Sequence, residues 1–378
     1  MVVASCGKEE FRTVKKDAAT PGSNEPPKPV PGDTVTTATG DGSPESPFCI
    51  ATANEWTKVM SQYAKDTAIY YKLTGSFEVE TVVDTFRGTL DGNGMTLSVT
   101  NQAIFKVLDR AMVHDVSVSA SVSCIPETSK VYIFNAAGSR DLYYAPLACY
   151  AQEGTTIMRC RSHVNIRLGD EWGYIAPLCG GTLRSYIDQC ATSGRITAQR
   201  GFYAGIVSLA DTQSVVRNSQ TDVVISGSEC QIGGIVYLLR LSRLENSYST
   251  ASLSTSDSYN LGGLACFCRE AIVDNCYFFG SLASEGASLL CYQASKDCHV
   301  HHCYGGINDP DATLLPLVTR ASLGSIVEEC YRMRTATTLA EATPQGTTSL
   351  LSLLQGRASA IDKALSWQSS GGLITFSD

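Results

Sequence analysis

A four-residue signature returns six times along this chain at nearly constant spacing. The copies are Ile187-Asp188-Gln189-Cys190, Val216-Arg217-Asn218-Ser219, Leu244-Glu245-Asn246-Ser247, Val273-Asp274-Asn275-Cys276, Val300-His301-His302-Cys303 and Val327-Glu328-Glu329-Cys330. Successive copies are separated by 29, 28, 29, 27 and 27 residues. A period of this size belongs to stacked supersecondary units, each too small to bury its own apolar face and each completed by its neighbours. Met112-Val113-His114-Asp115 and Met158-Arg159-Cys160 read as earlier, degenerate copies.

A second half of the repeat stands in register with the first, at Ala204-Gly205-Ile206-Val207, Gly233-Gly234-Ile235-Val236 and Gly262-Gly263-Leu264-Ala265. Looser copies are Ala145-Pro146-Leu147, Ala176-Pro177-Leu178 and Ala287-Ser288-Leu289. Between the halves, short stretches alternate apolar and polar and are bounded by Gly, Asn, Asp and Ser, which is strand patterning with turn punctuation. No repeat carries a 3.6-residue apolar stripe long enough for a pair of helices. The expected fold is all-β: a right-handed parallel β-helix of three-strand coils. Asn218, Asn246 and Asn275 are then corner residues, where a left-handed backbone is tolerated and an amide can bond its copy one rung away. The bend lets both the preceding aliphatic and the following Cys or Ser point inward. Residues 125 to 143 lengthen one turn into a side loop.

The ends read differently. Val3-Ala4-Ser5-Cys6 has the small residues and cysteine that close a lipoprotein signal, and Thr20 to Pro47 is rich in Pro, Gly, Ser and Thr. Residues 1–47 are therefore expected to be a tether anchored by lipidation of Cys6, placing the protein on the outer membrane, exposed at the cell surface. Thr52 and Glu55 have capping-box spacing ahead of Trp56, Val59, Met60, Tyr63 and Ala64, which predicts a helix from Ala53 to Ala64 closing the first coil. The β-helix is expected over 48–334. Residues 335–378 lose the repeat and are expected to cap the last coil with their apolar side chains. No run approaches the 18 or so apolar residues of a membrane-spanning helix.

Phe86-Arg87-Gly88-Thr89-Leu90-Asp91-Gly92-Asn93-Gly94-Met95-Thr96-Leu97 resembles the F-x-G-x-L-D-G-N-G-x-T-I element that opens many bacterial parallel β-helices. Gly233-Gly234-Ile235-Val236, followed by Leu244 to Thr250, resembles the GLUG-type repeat of bacterial adhesin-like surface lipoproteins. Together the matches cover residues 47 to 335, with Pro or Ser replacing Gly in several copies. The resemblance implies surface interaction and supplies no catalytic residue.

Charged residues make up 17% of the chain and the net charge is −8, which argues against a nucleic-acid partner. Of the fifteen cysteines, Cys160, Cys190, Cys276, Cys303 and Cys330 share a ladder position with Ser219 and Ser247. Cys149, Cys266 and Cys291 are assigned to a second one. Interchange with Ser marks small inward residues, so buried free thiols are expected, with cross-rung disulfides as the alternative.

Three constellations could carry chemistry. Cys298-His299-Val300-His301-His302-Cys303 has metal-ligand residue types, but an inward Val300 sends the thiols and imidazoles apart, so no metal and no cofactor is assigned. The corner row Asp188, Arg217, Glu245, Asp274, His301, Glu328 places Glu245 and Asp274 about 5 Å apart, near the spacing of a retaining glycosidase, though without a cleft. Tyr248, Tyr277, Tyr304 and Tyr331 each follow a ladder Ser or Cys and form a possible ligand platform of stacked outward rings; the alternative is that they stabilise the sheet or lie under a loop. The expected function is that of a monomeric, non-catalytic, adhesin-like surface protein binding a glycan or host protein through an exposed β-face. A polysaccharide lyase or glycoside hydrolase on the same scaffold is the enzyme alternative, and a structural spacer presenting the side loop is the third.

Overall fold

A computed structural model describes residues 38–134, 140–256, 260–307, 315–322, 324–333, 349–370 and 373–377. Cys6 and most of the expected tether lie outside them. Among the described residues the chain winds as a parallel β-helix of three long sheets with 11, 17 and 9 strands, plus a separate two-stranded sheet near the C-terminus. The strand signature falls in the 11-stranded sheet, and its copies pair in the expected register: Ile187 opposite Val216, then Leu244, Val273, Val300 and Val327. The column runs back through Ile157, Val113, Leu90 and Tyr71 to Phe48. Every member before Val327 is at most 5% exposed. Each large side chain in such a column stabilises the fold by about 1.5–3 kcal/mol, a gain available only once the next rung is in place.

The corners are built from left-handed residues. The third residue of the signature has φ between 44° and 55° at Gln189, Asn218, Asn246, Asn275, His302 and Glu329. The asparagine amides bond along the stack: Asn246 Nδ2 donates to Asn218 Oδ1 at 2.7 Å and Asn275 Nδ2 to Asn246 Oδ1 at 2.9 Å. A second left-handed corner closes the 9-stranded sheet at Arg110, Glu153, Arg184, Thr212, Leu241 and Glu270.

The bend turns Cys160, Cys190, Ser219, Ser247, Cys276 and Cys303 into the core, all at most 1% exposed. All fourteen cysteines in the described residues are free thiols. One assignment changes. Cys149 and Cys266 sit at equivalent positions, but Cys291 pairs with Ala265 and belongs with Cys179, one residue away in register. A shorter repeat before Cys291 shifts it by that residue. Cys291 Sγ consequently lies 3.4 Å from Cys268 Sγ inside the core.

The N-terminal helix spans Ala53–Tyr63 with both capping-box hydrogen bonds of Thr52 and Glu55 formed. Trp56, Val59 and Met60 are buried, and the Trp56 ring packs 6.0 Å from Phe77 and 5.7 Å from Phe105 over the first coils. The described C-terminal segment does not do the same at the far end. Its helix, Leu350–Ala358, and hairpin, Trp367–Ser370 with Leu373–Phe376, lie along the side of the stack against Asn218, Asn246, Asn275, Tyr248 and Tyr277. Val327 in the last rung remains 38% exposed. The side position satisfies polar corner atoms as well as apolar ones, which an end position would not.

Candidate functional site

The tyrosine row forms as the register requires, Tyr248 opposite Tyr277, Tyr304 and Tyr331. Tyr248 and Tyr277 stack with ring centroids 5.0 Å apart and planes 2° from parallel. The row is not an open platform, however. Trp367 and Phe376 lie over it, and Tyr248, Tyr277 and Tyr304 are 6%, 0% and 2% exposed. Tyr277 donates its hydroxyl hydrogen to the carbonyl of Ile374, and burial pushes the Tyr248 phenol up to about 12. Tyr331 is half-buried in the same cluster. The C-terminal segment covers the ring faces with apolar side chains and supplies the Tyr277 hydroxyl with a backbone acceptor.

The same segment seals the corner. Asn218 Nδ2 donates to Asp188 Oδ1 at 2.7 Å and to the carbonyl of Lys363 at 3.0 Å, while the Leu365 amide donates to Asn218 Oδ1 at 3.0 Å. Arg357 clamps Asp274 through Nε and Nη2 at 3.0 and 2.7 Å. Glu245 and Asp274 are neighbours in register but 5% and 3% exposed, with Glu245 paired to Arg243. Burial raises the Glu245 pKa and Arg243 opposes it. Among the described residues neither carboxylate faces a cleft, and each is held by its own arginine, so the two do not form the acid pair of a glycosidase. Burial pushes the adjoining His301 imidazole down, with Asp274 acting against it.

Beside the segment's edge, a groove of about 480 Å³ follows the 17-stranded sheet, lined by Arg161, His163, Ser193, Gln220, Asp222 and Thr250 among others. His163 Nδ1 lies 2.9 Å from Ser193 Oγ on the next strand. A neighbouring depression contains Asp91, Asp115, Arg159 and Arg161. Arg159 holds Asp115 by two hydrogen bonds of 2.7 and 2.6 Å. That contact, aided by His114 and opposed by burial, lowers the Asp115 carboxyl to about 2, making it a fixed charge and not a proton carrier.

The opposite edge of the coil holds an aromatic ridge that the reading of the sequence missed. Tyr143, Tyr174 and Phe202 pair in one outward column, and Tyr150, Gly181, Leu209, Leu238 and Phe267 in the next. Tyr237 and Tyr292 fill the space between them. The rings are in continuous contact: Tyr143 to Tyr174 at 4.9 Å, Tyr174 to Phe202 at 5.0 Å, Phe202 to Tyr237 at 4.7 Å, Tyr237 to Phe267 at 5.7 Å and Phe267 to Tyr292 at 5.8 Å. Gly181 makes this possible, because a Cβ there would meet the Tyr143 and Tyr150 rings at 2.7 and 2.9 Å. Tyr143, Tyr150, Tyr237 and Tyr292 are buried, whereas Tyr174, Phe202, Leu238 and Phe267 keep exposed edges. Trp172, 51% exposed, stands edge-on to Phe202 at 4.9 Å. The buried Asp211, bonded to Arg240 at 2.8 Å, borders the ridge. The side loop contributes as well: Val131–Phe134 pairs antiparallel with Arg140–Tyr144, and Val131 and Ile133 pack against Tyr143, Tyr150 and Leu209. The signal was present as aromatics at fixed offsets before and after the Ala-Pro-Leu and Gly-Gly-Ile copies, spread over strands too short to stand out.

The Cys298 to Cys303 segment divides as expected. Cys298, Val300 and Cys303 are fully buried, while His299, His301 and His302 are partly exposed.

No family model matches the sequence, and no curated protein matches it. Solved structures do. A crystal structure from Bacteroides ovatus, assigned as a candidate immunoglobulin A1 protease, superposes with a TM-score of 0.54 at 15% identity, covering 91% of this chain and 99% of that one. A structure named IgA1 Protease matches with a TM-score of 0.49 at 16% identity, over 75% of this chain and 21% of its own length. At 15% identity the first likeness shows a shared fold and carries no active-site residue across. The resemblance to GLUG-type lipoproteins rests on the quoted motifs alone.

Proposed function

We propose that the protein is a non-catalytic binding protein of the cell surface, and that its ligand surface is the ridge around Trp172, Tyr174, Phe202 and Phe267. The observation that carries this reading is the unbroken chain of ring contacts, with the exposed Trp172 joined to it edge-on at Phe202. Rings immobilised by buried neighbours lose little entropy on binding, and their exposed edges and faces suit the apolar faces of sugars or an apolar protein patch. The Asp211–Arg240 pair at its border offers polar orientation. The tyrosine row, covered by the C-terminal segment, is given up as the platform. Lipidation of Cys6 and attachment to the outer membrane belong to the same proposal and rest on Val3-Ala4-Ser5-Cys6 and the Pro-, Gly- and Ser-rich stretch after it.

The test is retention of the piece from about residue 45 onward on immobilised glycans and host glycoproteins, with wild type and Trp172→Ala compared. Retention lost in the variant supports the ridge; equal retention by both overturns it. The His163–Ser193 contact favours a second reading, a hydrolase using Ser193 as nucleophile and His163 as base. New product ends in the same incubations, abolished by Ser193→Ala, would replace the binding reading with that one.

A further inference from the structure

Two histidines at one corner and an aspartate from the preceding rung converge on a single point. His301 pairs in register with Asp274, and His302 stands where the earlier copies carry Asn246 and Asn275. His301 Nδ1 lies 3.3 Å from Asp274 Oδ1, His302 Nδ1 lies 3.4 Å from the same oxygen, and the two ring nitrogens are 3.0 Å apart. Bonds of about 2.0–2.1 Å in a tetrahedral ion set ligand atoms about 3.3 Å apart, so the triangle has the size of one face of such a site.

Two further observations point the same way. His302 Nε2 contacts the Glu329 carboxylate, an acceptor that favours the tautomer with the proton on that nitrogen and the Nδ1 lone pair facing the triangle. A carboxylate behind a ligating imidazole is how proteins orient metal-bound histidines. The second observation is a loss. The amide ladder stops at Asn275, whose buried Oδ1 has no hydrogen-bond partner among the described residues, because the next copy supplies His302 in place of an asparagine amide. An orphaned buried acceptor is costly, so the histidine needs a compensating role.

We propose that Asp274, His301 and His302 bind a divalent first-row transition ion of the zinc type, with at least one coordination position left for water or a donor from a partner. Imidazole donors favour this class over calcium and magnesium. The Asp274, Glu328 and Glu329 carboxylates balance the ion against Arg357, which takes Oδ2 at 2.7 Å and also reaches Oδ1 at 3.1 Å. His301 and His302 side chains are 17% and 26% exposed, so the site is reachable from solvent. Cys298 and Cys303 point into the core and are not ligands.

The experiment is titration of the chelator-stripped, thiol-reduced full chain with Co²⁺, read by visible and near-ultraviolet absorption. The expected result is one bound equivalent, with the visible bands of a low-coordinate nitrogen–oxygen site and no thiolate charge-transfer band. His301→Ala and His302→Ala should each weaken binding at least 100-fold or so, and Glu329→Gln about 10- to 100-fold. His299→Ala, at the outward neighbour, should leave it unchanged and controls for disturbance of the corner. Binding no tighter in wild type than in the doubly substituted His301→Ala/His302→Ala chain overturns the assignment. A thiolate band, or an equal loss in His299→Ala, overturns it too.

Discussion

The indole nitrogen of Trp367 donates a hydrogen bond of 2.6 Å to the side-chain oxygen of Asn246, a residue 121 positions earlier in the middle of the corner ladder. The same oxygen accepts from Asn275, and the Asn246 amide donates to Asn218 and to the carbonyl of Leu365. Within the stack the asparagine side chains bond one another and, at Asn218, Asp188. Their outward valences are completed by the C-terminal segment, so that segment is part of the folded unit and not an appendage.

Asn246→Ala should therefore cost more than a surface asparagine would. It orphans the Trp367 indole and one of the two Asn275 amide hydrogens, the Leu354 carbonyl keeping the other, at about 1–3 kcal/mol for each group that stays buried. Chemical denaturation should show the loss, and limited proteolysis should show earlier cleavage between 349 and 377. Removing residues 349–378 should expose Tyr248, Tyr277 and Tyr304 and produce strong binding of a hydrophobic dye. An unchanged midpoint and no dye binding would mean that the segment is only loosely laid on the stack.

The Asp115–Arg159 pair predicts a small acid-sensitive term. The folded carboxyl sits at about 2, against roughly 3.9 when unfolded. Its stabilisation is present above the unfolded value and is lost as pH falls through the folded one, between about pH 4 and pH 2. With Arg159 43% and Asp115 32% exposed, solvent screening limits the contribution to below about 1 kcal/mol. Arg159→Met should return the Asp115 titration, followed by carboxyl carbon chemical shift, toward the ordinary range. A midpoint that stays low would assign the shift to His114 instead.

Thiol chemistry should separate the cysteines by depth. Burial pushes Cys149 and Cys230 up to about 12 and raises Cys179, Cys190 and Cys266 as well. A thiol-specific reagent at neutral pH should modify exposed Cys124 rapidly and half-buried Cys49 slowly, and the core cysteines only on unfolding. Under oxidation, Cys268 and Cys291 should be the first core pair to cross-link, since their sulfurs are already adjacent. Peptide mapping after native and denatured labelling reads both outcomes, and rapid native labelling of Cys190 or Cys276 would contradict the packing.

Gly181→Leu should collapse the ridge without breaking the stack. Its added side chain meets the Tyr143 and Tyr150 rings, so overpacking of about 1–3 kcal/mol is expected, with the rings displaced. Trp172→Ala, at an exposed site, should change stability by under about 0.5 kcal/mol. Near-ultraviolet circular dichroism and thermal melts distinguish the two. Loss of stability in Trp172→Ala as large as in Gly181→Leu would make that tryptophan a packing residue.

What the chain's own pattern settled was the repeating frame of the coil. The parallel register, the inward columns of aliphatic and Cys or Ser residues, the left-handed corner at Asn218, Asn246 and Asn275 and the amide ladder follow from spacing, because each is a local geometry repeated from rung to rung; the capping box of the first helix follows from a local motif four residues long. Tertiary structure alone decided which outward rows are open. Tyr248 and Tyr277 carry the same alternation signal whether water or Trp367 lies above them, and nothing periodic in residues 349–377 marks their place on the side of the stack. Likewise, Asp274 meets His301 and His302 only because stacking brings positions 27 and 28 residues apart to one corner. Periodicity encodes contacts between equivalent residues; contacts made by a non-repeating segment, or between different side chains on successive rungs, exist only once the coil has closed.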